Sequence, residues 1–207
     1  MSAPVLSVRS GEAVERAVRH LQAGELVIIP TDTIYGIAAY PALHSIELLA
    51  RVRDRRTPEP ALPFLLARTQ HLSRLTHPSP VVRRLAHRFW PGSLTLIVQP
   101  LPTLASALRP IPVAVRVPNY PDLIPLLEMA GGYLVVSGAI RSGHSPAITA
   151  QEAAGFFGED VALILDGGRS PYGVPSTIVD CTAIPPAIVR RGAIHDEDLL
   201  EHLSLRE

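Results

Sequence analysis

The chain has 207 residues, 47% of them hydrophobic and 18% charged, with 19 acidic and 19 basic side chains. That length carries one well-buried core and is short for two ordinary domains with a linker. A net charge of zero and a pI near 7.1 exclude wholesale electrostatic binding of nucleic acid or membrane. No apolar run approaches the ~20 residues of a membrane span, and a cytoplasmic protein is the expectation. The lone Cys181 excludes an internal disulfide or a Cys-built zinc cage. The chain has no lysine, which excludes Schiff-base and P-loop lysine chemistry and leaves arginine as the anion binder.

In chain order, residues 10–23 read as an amphipathic helix, with Ser10 as N-cap and Ala13, Val14, Ala17, Val18 and Leu21 on one stripe. Gly24 stops it. The run Leu26-Val27-Ile28-Ile29 reads as a buried strand ended by Pro30. A second helix is expected over residues 45–53 and a strand over Leu62–Leu66. Ser79-Pro80 forms an N-cap and N1 pair for a helix ending near Trp90-Pro91-Gly92. Strands follow at residues 94–98 and 114–117, a helix at 121–130 and a strand at 133–137. Thr149-Ala150-Gln151-Glu152 is a capping box for the next helix. Late strands are expected at residues 161–165, 177–180 and 187–189, and a terminal helix at 196–203. Interspersed helices and strands with hairpin-length gaps near the end predict a single-domain α/β fold with a twisted, mixed parallel and antiparallel sheet.

Four places could carry chemistry. Thr31-Asp32-Thr33-Ile34-Tyr35 sets small hydrogen-bonding groups at the end of the first apolar strand, where α/β proteins tend to bind ligands, although such a loop also caps its own turn. Arg51, Arg53, Arg55 and Arg56 crowd the end of the second helix. They suit a helix C-terminus or, through mutual repulsion, a shared anion. Arg116 sits within the apolar strand Val113-Ala114-Val115-Arg116-Val117, either on a wet face or turned inward to a partner. Pro175-Ser176-Thr177 opens a strand with two hydroxyls, as a plain turn also would. Asp166-Gly167-Gly168-Arg169 reads first as a turn. Arg83, Arg84, His87 and Arg88 read as a solvated helix face, with RNA contact as the alternative. The eight His show no paired ligand spacing, so no protein-built metal site is expected.

Several segments together resemble one family. Pro30-Thr31-Asp32-Thr33-Ile34-Tyr35-Gly36 resembles the opening P-T-D-T-x-Y-G motif of the Sua5/YrdC/TsaC family, the threonylcarbamoyl-AMP synthases of tRNA modification. Arg53-Asp54-Arg55 stands where that family has Lys-x-Arg, and Phe89-Trp90-Pro91-Gly92-Ser93-Leu94-Thr95 where it has F-W-P-G-x-L-T. Val115-Arg116-Val117-Pro118, Ser142-Gly143, residues 175–180 and Val189-Arg190-Arg191-Gly192-Ala193 follow in the family's order. The resemblance implies a YrdC-like domain around a basic cavity. It implies a reaction in which L-threonine and bicarbonate form an N-carboxylated amino acid, whose carboxylate attacks the α-phosphorus of ATP and expels pyrophosphate. Thr31, Thr33 and Tyr35 would position threonine and the carbamate. Arg53, Arg55, Arg116 and Arg190 would screen phosphate charge, with Ser137, Ser142 and Ser176 against the nucleotide and Mg²⁺ carried in on ATP. The product would pass to downstream threonylcarbamoyl-transferase machinery, and weak RNA binding is the remaining expected contact. Longer members of the family carry a second C-terminal domain, and this chain stops where that domain would begin. One departure stands out: the family's Ser-Ala-Asn triplet corresponds to Gly138-Ala139-Ile140. It supports the alternative of a non-catalytic paralogue that binds a nucleotide or double-stranded RNA.

Overall fold

The computed structural model describes residues 2–53, 61–108 and 112–203. One ten-stranded sheet organises it. In chain order the strands are β1 (Val5–Ser7), β2 (Val27–Ile29), β3 (Gly36–Ala39), β4 (Leu62–Leu66), β5 (Leu94–Val98), β6 (Val113–Arg116), β7 (Tyr133–Gly138), β8 (Leu163–Asp166), β9 (Thr177–Asp180) and β10 (Ala187–Arg190). Across the sheet they run β1-β8-β2-β3-β7-β4-β6-β5-β9-β10. The pairs β1·β8, β2·β8, β4·β6 and β5·β9 are parallel and the others antiparallel, which is the mixed sheet expected from the sequence.

Helix α1 (Gly11–Gln22) forms as its periodicity dictates: the Ser10 hydroxyl accepts from the Ala13 amide, and Ala13, Val14, Ala17, Val18 and Leu21 are all buried. Helix α3 (Pro80–Phe89) has Ser79 as N-cap and Pro80 at its first turn. Helix α6 (Ala150–Phe157) has Thr149 as N-cap, and the Glu152 carboxylate accepts from the Ile148 amide at 2.7 Å. Helix α2 (Leu43–Val52) begins earlier than the expected residue 45, and Ser45 is fully buried. Four elements lay beyond the sequence pattern: β1, β3, a 3-10 turn at Thr69–Arg74 and α4 (Pro102–Leu108). The short helix α5 (Ile124–Met129) and the terminal helix α7 (Asp196–Leu203) complete the set.

Strand alternation sorts the side chains into two cores. Leu26, Ile28, Phe64, Leu66, Leu96, Val113, Val115 and Val135 point to one face, packed by α2, α3, α6 and α7. Val27, Ile29, Leu65, Leu134 and Val136 point to the other, where α1 and α5 cover them. Those two helices stop short of the β6-β5-β9-β10 end. There the same face carries only the small cluster Ala61, Ile97, Ala114 and Ile178. The uncovered half of a sheet face that is packed elsewhere is the wall of a cavity.

Candidate functional site

The cavity is about 470 Å³ and draws its lining from the β2–β3 loop, the end of α2, and strands β4, β5, β6, β7, β9 and β10. Apolar side chains dominate, and a few polar residues converge: Thr31, Thr33, Tyr35, Arg53, Thr95, Arg116, Ser137, Ser176 and Arg190. Among the described residues its lining includes three arginines and no carboxylate. Among the described residues no group of three or more His, Cys, Asp or Glu is placed to hold a metal.

Arg116 is the most constrained of these groups. It shares a face with Ala114, turned into the cavity, and only 7% of it is exposed. Of the two readings open in the sequence, inward is the one the fold takes. Its Nε donates to the Gly92 carbonyl at 2.8 Å, Nη1 to Thr33 Oγ1 at 2.7 Å and Nη2 to Asp32 Oδ1 at 2.5 Å. Burial pulls its pKa below the usual value and the Asp32 carboxylate opposes that pull. Guanidinium with a carboxylate partner keeps its charge.

The β2–β3 loop divides its work. Thr31 Oγ1 donates to the Ile34 carbonyl at 2.6 Å and accepts from the Thr33 and Ile34 amides at 3.2 and 3.3 Å, so it caps its own turn. Thr33 Oγ1 accepts from Arg116 and lies 3.1 Å from Thr31 Oγ1. With the Thr31 proton on Ile34, the Thr33 proton is available to Thr31 or to a group in the cavity.

Tyr35 lines the cavity, as the sequence reading expects, but its hydroxyl is engaged elsewhere. Its ring is fully buried in the core, and its hydroxyl donates to the Gly168 carbonyl at 2.7 Å and accepts from the Gly167 amide at 3.2 Å. Burial pushes the phenol pKa far above its ordinary value. Tyr35 therefore lines the cavity while its hydroxyl ties the loop to the Asp166–Gly168 turn. Ser142 is a correction. It sits half-buried in the turn after β7, away from the cavity lining, because the chain leaves the sheet at Ala139.

On the far wall, Thr95 Oγ1 and Ser176 Oγ are 2.7 Å apart. Arg190 donates from Nε to the Ser176 carbonyl and from Nη2 to Ser176 Oγ, both at 3.0 Å. Gly192 permits this approach, since a Cβ there would collide with the Pro175 carbonyl and the Ser176–Thr177 backbone. Arg53 lines the cavity as the C-cap residue of α2, and Ser137 lines it from β7. Arg55 lies outside the described residues. Asp32 and Thr95 were not singled out as site residues from sequence. Thr95 carried a signal, a hydroxyl at the period-2 position that shares its face with Ile97. Burial, with the Asp180 carboxylate next, pushes the Cys181 thiol up to about 12, which disfavours its thiolate.

The triplet Gly138-Ala139-Ile140 lies in this wall: Gly138 and Ile140 line it beside Ile34. The Sua5/YciO/YrdC family model, described as telomere recombination, matches residues 19–192. The chain belongs to this family. A putative threonylcarbamoyl-AMP synthase of Mycobacterium tuberculosis is 36% identical over 195 residues, covering 91% of this chain and 88% of its own. The threonylcarbamoyl-AMP synthase of Bacillus subtilis is 31% identical over 90% of this chain, which spans 55% of that protein. Pyrococcus abyssi Sua5, solved in complex with L-threonine, superposes with a TM-score of 0.86 at 28% identity, over 97% of this chain and 61% of its own.

Proposed function

We propose that this chain is an L-threonylcarbamoyladenylate synthase, forming threonylcarbamoyl-AMP and pyrophosphate from L-threonine, bicarbonate and ATP for tRNA modification. The observation that carries the reading is the cavity itself. A buried Arg116 anchored by Thr33 and Asp32 stands on one wall, and Arg53, Arg190 and Ser176 on others. Relatives named for this activity cover nine-tenths of the chain.

In this reading Thr33 holds the amino acid, and Thr31 keeps its loop in shape. Arg116, which the resemblance set among the phosphate cations, joins Thr33 because it is bonded to Thr33 and paired with Asp32. Arg53, Arg55 and Arg190 draw charge from the triphosphate, with Ser137 and Ser176 against the nucleotide. Fixed cations and hydroxyls aimed into a cavity stabilise charge that develops on the transferring phosphoryl group. Holding the carboxylated amine beside the α-phosphorus converts a three-component encounter into one bound geometry. Mg²⁺ would enter on ATP, which supplies phosphate oxygens for it. No helix among the described residues is long and apolar enough to cross a membrane. A cytoplasmic setting, action by this one domain, and delivery of the product to a threonylcarbamoyl-transferase belong to the same proposal.

The test is pyrophosphate release measured with all three substrates and with each omitted in turn. Release that requires all three is expected; tight nucleotide binding without release would sink the reading. That outcome would favour a nucleotide- or double-stranded-RNA-binding paralogue, which the apolar wall at Gly138 and Ile140 supports.

A further inference from the structure

Asp32 is 2% exposed and does not line the cavity, yet it holds the one cavity arginine that is buried in the sheet. The pairing is one-armed. Oδ1 accepts from Arg116 Nη2, while Oδ2 is buried with no hydrogen-bond partner among the described residues. A buried carboxylate ordinarily uses both oxygens, and the forked Arg–carboxylate pair is the usual way. Here the fork is pulled away. Nε is held by the Gly92 carbonyl and Nη1 by Thr33, so the guanidinium meets Asp32 with one nitrogen only. Arginine has five N–H groups. Three are used, leaving one on Nη1 and one on Nη2, on a side chain that lines the cavity.

Asp32 is itself fixed from behind. Its carbonyl accepts from the Tyr172 amide at 3.0 Å, and the neighbouring Thr31 carbonyl accepts from Ser170 Oγ at 2.9 Å. The turn after β8 thus clamps the loop that carries the carboxylate.

We infer that Asp32 is a positioning and selectivity residue: by cancelling the charge of Arg116 while leaving two of its N–H groups free, it makes this end of the cavity accept a zwitterionic amino acid and reject a polyphosphate. The inference rests on the synthase reading and says how one cavity keeps its two substrates apart. An Asp32–Arg116 pair carries no net charge. A bound amino acid places its carboxylate on the two remaining N–H groups, and its own ammonium offsets the repulsion this carboxylate meets from Asp32. A triphosphate gains the same two hydrogen bonds but meets the Asp32 carboxylate with like charge, which a weakly solvated site magnifies. The phosphates are left to the arginines on the other walls.

The experiment is calorimetric titration of L-threonine and, separately, inorganic pyrophosphate into the unmodified chain and into Asp32→Asn and Asp32→Glu variants. Melting temperature is measured beside each titration. Asp32→Asn keeps the shape and removes the charge. Pyrophosphate affinity should rise severalfold while threonine affinity changes much less, because the lost charge repels an anion and acts little on a zwitterion of zero net charge. Asp32→Glu keeps the charge, so its threonine-to-pyrophosphate preference should stay on the side of the unmodified chain. A purely structural Asp32 would weaken both ligands together in Asp32→Asn, and that result, or no change in either, overturns the inference. Should the buried, unpaired guanidinium prevent Asp32→Asn from folding, the smaller neutral Asp32→Ser and the Asp32→Glu preference decide. A shift toward pyrophosphate in Asp32→Glu overturns it. An unmodified chain that binds pyrophosphate but no threonine removes the synthase reading itself, independently of what the variants do.

Discussion

Thr33 has two neighbours that give its hydroxyl a purpose: Arg116 Nη1 at 2.7 Å and the cavity it lines. Thr33→Val keeps the volume and leaves Arg116 one acceptor short. The stability cost should be about 1–3 kcal/mol, the price of an unmet buried donor. Threonine affinity should fall about tenfold and ATP affinity much less, by titration of each ligand. Equal loss for both would make the loop structural. Thr31→Val tells a different story at the same scale, since its hydroxyl holds four partners within its own turn and its loss acts through the fold.

Among the elements, β7 carries the family's altered triplet. Gly138 has no positive φ, so its backbone admits serine, contrary to what a glycine at a strand end suggests from sequence. The obstacle is steric: a Cβ there would lie 2.9 Å from Ile34 Cδ1 and 3.4 Å from Ile140 Cδ1. Both are ends of flexible side chains, and Ile140→Asn removes one of them. The double variant Gly138→Ser with Ile140→Asn should therefore fold. Its ATP affinity or turnover should rise by about 1–3 kcal/mol, the worth of one or two recovered hydrogen bonds to a desolvated ligand. Pyrophosphate release and melting temperature measured together check this; a stable variant with no gain would mean the wall serves another ligand.

For the whole molecule, one sheet face does two jobs. Under α1 it is packed core, where Ala17 is fully buried. Over β6 it is open, where Ala114 lines the cavity. Enlarging a side chain should have opposite consequences at the two ends. Ala17→Phe overpacks a closed layer and should cost about 1–3 kcal/mol or more in stability. Ala114→Phe extends into empty space, so the melting temperature should hold while ligand binding is lost. Thermal melts and a threonine titration on the two variants separate these outcomes, and a destabilised Ala114→Phe would mean that the cavity is smaller than it looks.

The sequence by itself determined the elements whose signals are local. The stripe and caps of α1, the Ser79-Pro80 opening of α3 and the apolar run of β2 depend on neighbours within a few residues, so periodicity and capping sufficed. Motif order likewise pointed to Thr31, Thr33, Tyr35, Arg53, Arg116, Ser137, Ser176 and Arg190, which line one cavity. What depended on partners far along the chain stayed hidden. Gly36-Ile37-Ala38-Ala39 has weak strand propensity and becomes β3 only because β2 and β7 flank it. Arg116 faces inward because Asp32, 84 residues away in sequence, meets it there. The Tyr35 hydroxyl turns to Gly168, 133 residues on, where a sequence motif shows only a phenol beside two threonines. Direction of a side chain at a strand end is set by which face is packed, and only the assembled sheet decides that.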